Sequence, residues 1–199
     1  MGDVNQRLFL ERHLPQAGGP VVEIGSKEYG STTSFRDLYR DVEYVGVDLE
    51  AGPAVDSVVD LTQGIGSLAE AHFALVICCS VLEHTPAPWV MAKNLTRLVR
   101  PGGVLYLSVP WVWRFHPYPD DYFRFSPRGV EALFPGFKWI GAAYSTSLTD
   151  DLVPLDLRGD ISMIDDGMAR YAPTPQGGAR KYLPCLMVNM LGRRLVERG

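Results

Sequence analysis

Apolar residues along the chain gather in short runs that alternate with stretches of helical periodicity. Seven runs predict β-strands, because they are short, rich in Val, Ile and Leu, and bounded by turn residues. They lie in PVVEIG, EYVGVDLE, VDSVVDL, HFALVICC, GVLYLSVP, FKWIGAAYS and LPCLMVNMLGRRL. The central runs are apolar at successive positions, which is typical of strands covered on both faces of a mostly parallel sheet.

Helical patterns separate most of these strands. NQRLFLERHL, TPAPWVMAKNLTRLVR and SPRGVEALF have apolar residues at helical spacing, and Ser126 with Pro127 forms a typical helix start. Segment 31–40 and the short SLAEAH stretch also read as helical. Residues 149–181 lack periodicity and are rich in Asp, Pro and Gly. We interpret them as a long loop or lid insertion within a single domain, 1–199.

Composition narrows the class of protein. The 199 residues carry a net charge of −4, which argues against nucleic acid as the main partner. The N-terminus lacks the pattern of a signal peptide, and no apolar run is long enough for a membrane span. Three cysteines without a CxxC motif suit a reducing compartment. We therefore expect a cytoplasmic protein that binds no membrane.

Three predicted strands end in acidic residues: Glu23, Asp48 and Asp60. In a doubly wound sheet, ligands bind at the carboxyl ends of the strands, where an acid can accept hydrogen bonds from ribose hydroxyls. The turn after Glu23 is not the glycine-rich loop that a pyrophosphate needs. These acids favour a phosphate-free, positively charged cofactor such as S-adenosylmethionine. Each acid alone could equally be a solvated turn residue or a helix cap.

The ordered set of motifs resembles the class I S-adenosylmethionine-dependent methyltransferases. It is similar to a small bacterial subgroup with EIGS, GVDLE, a further acidic strand end, VLEH and RPGG, which here span about residues 20–137. The resemblance implies a Rossmann-like, doubly wound, mostly parallel seven-stranded sheet with an antiparallel last strand. It also implies S-adenosyl-L-methionine as the cofactor, and it reads RPGG as a helix stop before the fifth strand.

The resemblance also implies roles for individual residues. Glu23, Gly25 and Ser26 would line the methionine end of the cofactor. Asp48 would hold the ribose, with Leu49 against the adenine. Asp60 and Leu61 would meet the adenine edge, and Ser80 would border the sulfonium and its methyl group.

The loop after the first strand departs from the family pattern of an acid followed by three spaced glycines. Lys27 and Tyr29 stand where the second and third glycines would be, and Gly30 with Ser31 offers a displaced flexible point. We predict that Tyr29 closes over the methionine end or the substrate.

Methyl transfer to a hydroxyl needs a base near the ends of the fourth and fifth strands. Two histidines qualify, His84 in SVLEHTP and His116 in the aromatic segment 111–125. That segment resembles the HPxPxDYxRFSP stretch of the same subgroup. We predict that His116 is the base, and that the active site is shaped by His116, Asp121, Tyr122 and Arg124. The alternatives are that His84 only supports a loop and that the aromatic residues only cover the core.

We expect no metal ion. The histidines His13, His72, His84 and His116 are scattered along the chain, without a carboxylate at ligand spacing. A divalent ion held by HPYPDD, as in catechol-type methyltransferases, is the less favoured alternative.

The sequence predicts a methyltransferase that acts on a small-molecule acceptor, through a hydroxyl or carboxyl of a specialised metabolite or sugar. One alternative is a protein of the same fold that binds the cofactor but catalyses another step, such as a cyclisation. Another is a non-catalytic scaffold, whose marker would be an exposed apolar patch. Whether the chain forms a homodimer stays open.

Overall fold

The computed structural model describes residues 2–14, 16–30, 34–146, 148, 150–158 and 185–196. Within these residues, eight strands form one sheet. The strands are β1 (Val21–Ile24), β2 (Tyr44–Asp48), β3 (Ser57–Val58), β4 (Phe73–Cys79), β5 (Val99–Val112), β6 (Phe137–Ser145), β7 (Leu152–Pro154) and β8 (Leu186–Arg194). The helices are α1 (Gly2–His13), α2 (Pro88–Leu98) and α3 (Pro127–Leu133), with 3₁₀ turns at Arg36–Tyr39 and Leu82–His84.

The strand order is β3-β2-β1-β4-β5-β8-β6-β7. Strands β3, β2, β1, β4 and β5 pair in parallel, while β8 runs antiparallel between β5 and β6. The Rossmann-like, mostly parallel fold with an antiparallel last strand is therefore confirmed. The direction of winding reverses between β1 and β4, which places a ligand crevice at their carboxyl ends.

The structure adds one strand to the seven that were predicted. Strand β7 pairs antiparallel with β6, and it lies at the start of the segment interpreted as a loop. Edge pairing of a three-residue strand needs no sequence periodicity, so the pattern could not reveal it. The interpretation of 149–181 as a lid falls mostly outside the described residues.

Local helix predictions were partly wrong. Of segment 31–40, residues 34–40 contain only the 3₁₀ turn at Arg36–Tyr39, and SLAEAH forms turns. Both stretches are too short to offset the cost of helix nucleation. RPGG was predicted to stop the preceding helix. In the structure α2 ends earlier, at Leu98, and RPGG lies within β5, which begins at Val99. The Ser126 cap is confirmed, because its hydroxyl accepts a hydrogen bond from the Gly129 N–H at 3.1 Å.

Apolar layers cover both faces of the sheet. On one face α2 and α3 pack over residues of β4 and β5 such as Val76 and Leu107. On the other face, Phe9 and Leu10 of α1 pack near Tyr106. No helix among the described residues is both long and apolar enough to span a membrane.

Gly46 in β2 marks the closest backbone approach beside the crevice. A Cβ at this position would lie 2.0 Å from the carbonyl oxygen of Ala54 and 2.8 Å from Ser26 Oγ. The Gly46 N–H donates to Asp56 Oδ2 at 2.7 Å, which holds the loop after β2 against the strand. This packing requires glycine.

We expect Gly46→Ala to destabilise the fold by about 2 kcal/mol, because the methyl group must displace backbone rather than a flexible side chain. Urea denaturation followed by circular dichroism measures the difference. Gly136→Ala is the matched control, since a Cβ there meets nothing within 4 Å, and it should change stability by about 0.5 kcal/mol or less. Equal effects of the two substitutions would contradict this account of the close approach.

Candidate active site

One cavity of about 970 Å³ opens at the carboxyl ends of β1, β2 and β4. All nine residues predicted to bind the cofactor line it: Glu23, Gly25, Ser26, Tyr29, Asp48, Leu49, Asp60, Leu61 and Ser80. Of the predicted catalytic residues, His84, His116 and Tyr122 also line it. Asp121 and Arg124 do not line the cavity. Asp121 contacts His116, and Arg124 contacts Asp121.

The turn after β1 is built around Gly25, whose φ is +79°. A Cβ there would lie 2.4 Å from Val81 Cγ2, so only glycine fits beside the loop that follows β4. The N–H groups of Gly25 and Ser26 both donate to the carbonyl of Val47. The Lys27 N–H then donates to Asp48 Oδ2 at 3.1 Å, which brings the turn over the end of β2.

The two side chains that replace glycines lie at the rim of this turn. Lys27 Nζ pairs with Glu50 Oε2 at 2.7 Å. Tyr29 is 56% exposed, and its ring centroid lies 6.2 Å from that of Tyr118 across the cavity mouth. The lysine charge is therefore matched by a carboxylate. The closing role of Tyr29 stays a prediction.

Glu23 is the most buried acid at these strand ends, with 5% of its surface exposed. Its Oε2 accepts hydrogen bonds from the Tyr44 hydroxyl at 2.6 Å and the Ser34 hydroxyl at 2.9 Å. Burial raises the pKa of Glu23 to about 7, and these hydrogen bonds oppose the shift. The carboxyl is thus held in one orientation.

The remaining acids are more accessible. Asp48 is half-buried and Asp60 is exposed, with Asp60 Oδ1 accepting from the N–H and hydroxyl of Thr62. Leu61 is buried beside them. Ser80 directly follows β4 and has a φ of +54°, a left-handed conformation that is uncommon outside glycine.

Gln6 reaches the cavity from α1, and no sequence pattern indicated this position. Its Nε2 donates to Ser108 Oγ at 3.1 Å and to Ser80 Oγ at 3.3 Å. Gln6 is fully buried, and its Oε1 has no hydrogen-bond partner among the described residues. A polar position in an amphipathic helix ordinarily faces solvent, so periodicity predicts the opposite of what the packing shows.

At the other end of the cavity, two histidines meet over a buried acid. The ring centroids of His84 and His116 are 4.8 Å apart. The Nε2 atom of each lies 3.9 Å from Glu83 Oε1. Burial lowers the pKa of His84 and raises the pKa of Glu83 to about 8. The expectation that the histidines are scattered without a neighbouring carboxylate is therefore wrong for this pair.

Asp121 orients His116 from behind. Its Oδ2 accepts from the His116 backbone N–H at 2.9 Å and from His116 Nδ1 at 3.0 Å. Arg124 binds both oxygens of the same carboxylate, with Nη2 to Oδ2 at 2.7 Å. The guanidinium beside Asp121 holds the pKa of that carboxyl well below its usual range.

Arg124 also ties the aromatic segment to this carboxylate. Its guanidinium donates to the backbone carbonyls of Trp113 and Arg114 at distances of 3.0 to 3.3 Å. The backbone N–H of Tyr122 donates to the carbonyl of Glu83 at 2.8 Å, while the Tyr122 side chain is exposed at the cavity. The segment thus forms a wall supported by polar contacts, and Asp121 and Arg124 position it without lining the cavity.

Comparison with solved structures shows a shared fold. The 1,6-didemethyltoxoflavin-N1-methyltransferase of Burkholderia thailandensis, solved with 1,6-didemethyltoxoflavin and S-adenosylhomocysteine, superposes with a TM-score of 0.58 at 17% identity, covering 96% of this chain and 77% of that one. The [4+2]-cyclase SpnF superposes with a TM-score of 0.62 at 15% identity, covering 98% and 81%.

Residues 22–107 match the family model of a methyltransferase domain. Over these residues, which are less than half of the chain, it is similar to the class I S-adenosylmethionine-dependent methyltransferases. Among its relatives, the ubiquinone biosynthesis O-methyltransferase of Stutzerimonas stutzeri is 26% identical over 140 residues, which is 61% of this chain and 60% of the relative. The chain spans about 60% of the length of that relative. The cofactor of this methyltransferase class is S-adenosylmethionine.

We expect the pH dependence of stability to report on the buried carboxyl of Glu23. The folded-state pKa of about 7 lies above the ordinary value of 4.5, so the folded protein retains a proton that the unfolded chain has lost. The contribution of Glu23 to stability is therefore present at low pH and declines as pH rises from 4.5 through 7. Urea denaturation between pH 4 and 8 should show wild type losing stability relative to Glu23→Gln across this range.

Glu28→Gln is the control for that series, because Glu28 is exposed. Its stability should run parallel to that of wild type at every pH. If Glu23→Gln also ran parallel to wild type, the buried carboxyl would not be the source of the dependence.

We expect Asp121→Asn to destabilise the domain by about 3 kcal/mol, because the substitution leaves the Arg124 guanidinium without its charged partner. Thermal and urea denaturation measure the loss. The adjacent Asp120→Asn serves as control, since Asp120 is exposed and Asn retains an oxygen to accept from the Asp121 N–H. Asp120→Asn should cost about 0.5 kcal/mol or less. A similar loss in both variants would show that Asp121 has no special role.

Proposed function

We propose that the protein is an enzyme that transfers a methyl group from S-adenosylmethionine to a hydroxyl of a small molecule. The observation that carries the proposal is the single cavity that joins the nine predicted cofactor residues to the His84 and His116 pair. A cofactor end and a reactive end in one cavity are what transfer between two bound molecules requires.

The first half of the cavity fits this cofactor. Three acids, Glu23, Asp48 and Asp60, approach the carboxyl edge of the sheet, and the cation of the turn, Lys27, is already paired with Glu50. This charge pattern suits ribose hydroxyls and cationic groups and does not suit a pyrophosphate. When bound, S-adenosylmethionine supplies a methyl group activated by its positively charged sulfur.

The volume supports a small acceptor. A cavity of about 970 Å³ is at the upper end of ordinary ligand sites, which leaves room for a small molecule beside the cofactor. Trp113, Tyr118 and Tyr122 line the acceptor end together with the histidines. Aromatic walls with few polar groups are suited to a flat or partly apolar acceptor.

We propose that His116 acts on the acceptor hydroxyl. Asp121 accepts the hydrogen of Nδ1, so the lone pair of Nε2 is available on the opposite side of the ring. Because the side chain lines the cavity, this nitrogen is within reach of an acceptor. Asp121 and Arg124 are positioning residues in this scheme, and Tyr122 contributes to the wall.

We expect His116→Ala to lower methyl transfer by about 100-fold or more, because the group that acts on the acceptor is removed. Its affinity for S-adenosylmethionine and S-adenosylhomocysteine should be close to that of wild type in isothermal titration, since His116 lies at the other end of the cavity. Formation of S-adenosylhomocysteine during incubation with hydroxylated candidate acceptors measures turnover.

His72→Ala is the matched control. His72 precedes β4 at the opposite edge of the sheet, where it pairs with Glu43, so turnover should be unchanged. Wild-type turnover in His116→Ala would contradict the role of His116. Conversion of an acceptor without S-adenosylhomocysteine would indicate a cyclase-like step, and absence of cofactor binding would favour a scaffold.

A further inference from the structure

Glu83 presents an unusual electrostatic problem. Its side chain is completely buried, and neither carboxylate oxygen has a hydrogen-bond partner among the described residues. A buried carboxylate is costly unless a cation or several donors compensate for it. Its position after β4 directs it toward the acceptor end of the cavity, of which it forms part of the lining. The group is therefore placed to receive a ligand that supplies positive charge.

The two neighbouring imidazoles present acceptors rather than donors to this carboxylate. His84 Nδ1 lies 2.6 Å from the carbonyl oxygen of Asp120, which can only accept, so Nδ1 carries the hydrogen. His116 Nδ1 likewise faces Asp121 Oδ2 at 3.0 Å. In the neutral rings both Nε2 atoms then carry lone pairs, and both point toward Glu83. Such anchoring of Nδ1 by a carbonyl or carboxylate is how metal-binding histidines are oriented.

The distances favour an ion over direct hydrogen bonds. Each Nε2 atom is 3.9 Å from Glu83 Oε1, which is too long for a hydrogen bond even if the acid is protonated. The three ligand atoms lie within 4.8 Å of one another. Tetrahedral ligands at about 2.1 Å from one ion lie about 3.4 Å apart, so binding would draw the three side chains together by about 0.5 to 1.4 Å. Rotation of the side chains that meet at this gap can supply such a movement.

We propose that Glu83, His84 and His116 bind a divalent transition-metal ion at the acceptor end of the cavity. Two imidazoles and one carboxylate suit zinc, iron or related first-row ions, whereas magnesium and calcium prefer oxygen ligands. Three protein ligands leave coordination positions that face the cavity. The chemical class of ligand for those positions is an oxygen donor, such as water or the hydroxyl of an acceptor.

This site goes beyond the proposed function and does not depend on it. If the proposed methyl transfer holds, a His116 that binds the ion would not take the proton itself. The ion would lower the pKa of the acceptor hydroxyl, and the proton would pass to water. If the protein transfers no methyl group, the ion site still stands on its own measurement. Metal binding is therefore measured without cofactor or acceptor.

The test is equilibrium dialysis of the chelator-treated 199-residue chain against Zn²⁺, with the metal counted by mass spectrometry. We expect one ion per chain in wild type. Glu83→Gln, which keeps the shape and removes the charge, and His84→Ala should each weaken binding by at least 100-fold. Asp121→Asn should weaken it by about 10-fold to 100-fold, because it removes the partner of His116 Nδ1. Circular dichroism confirms that each variant is folded.

The control is the exposed histidine and carboxylate pair on the opposite edge of the sheet. His72 Nε2 lies 3.2 Å from Glu43 Oε2, so Glu43→Gln tests for adventitious binding at a surface pair and should leave the affinity unchanged. Co²⁺ provides a second readout that does not depend on a variant folding, since the visible spectrum of wild type should show nitrogen and oxygen ligands without thiolate charge transfer. Absence of a bound ion in wild type, unchanged affinity in Glu83→Gln, or a thiolate spectrum would each overturn the proposal.

Discussion

The carboxylate of Asp121 is the contact on which the acceptor half of the site depends. Segment 113–125 forms no strand or helix. Isolated backbone hydrogen bonds, such as that from the Tyr122 N–H to the Glu83 carbonyl, therefore attach it in place of a continuous ladder. Asp121 receives the Arg124 guanidinium on one side and His116 on the other, and Arg124 in turn binds the carbonyls of Trp113 and Arg114. One buried acid therefore replaces the secondary structure that would otherwise be needed to position an imidazole.

The two halves of the cavity are built by different means. The cofactor half uses the ends of parallel strands, where the backbone itself directs Glu23 and Asp48 toward one edge. The acceptor half uses a long irregular connection, whose position comes from side-chain contacts. This division allows the acceptor wall to vary while the sheet keeps its geometry, which is how one fold supports many substrates.

Glu83 carries an energetic cost, because its carboxyl is buried beside segment 113–125 without hydrogen-bond partners among the described residues. The residue follows β4 directly, and its backbone carbonyl receives the N–H of Tyr122. Its side chain, by contrast, is buried without partners among the described residues. Energy stored in an unsatisfied polar group is characteristic of binding and catalytic positions, where a ligand completes what the fold leaves open. The bound ion and the two histidines would resolve this imbalance together.

The chain order of strands, acids and glycines was sufficient to predict the fold and to place in one cavity the nine residues that are predicted to bind the cofactor. Strand ends next to a winding reversal converge by topology alone. Local patterns could not predict β7 or the entry of Gln6 into the cavity, since these depend on partners distant in sequence. The same reason explains why the cluster of Glu83 with two histidines was not predicted. His84 is the neighbour of Glu83 in sequence, but His116 comes 32 positions after His84 and is placed by Asp121. Sequence determined which edge of the sheet carries the chemistry, and only tertiary packing decided which side chains meet there.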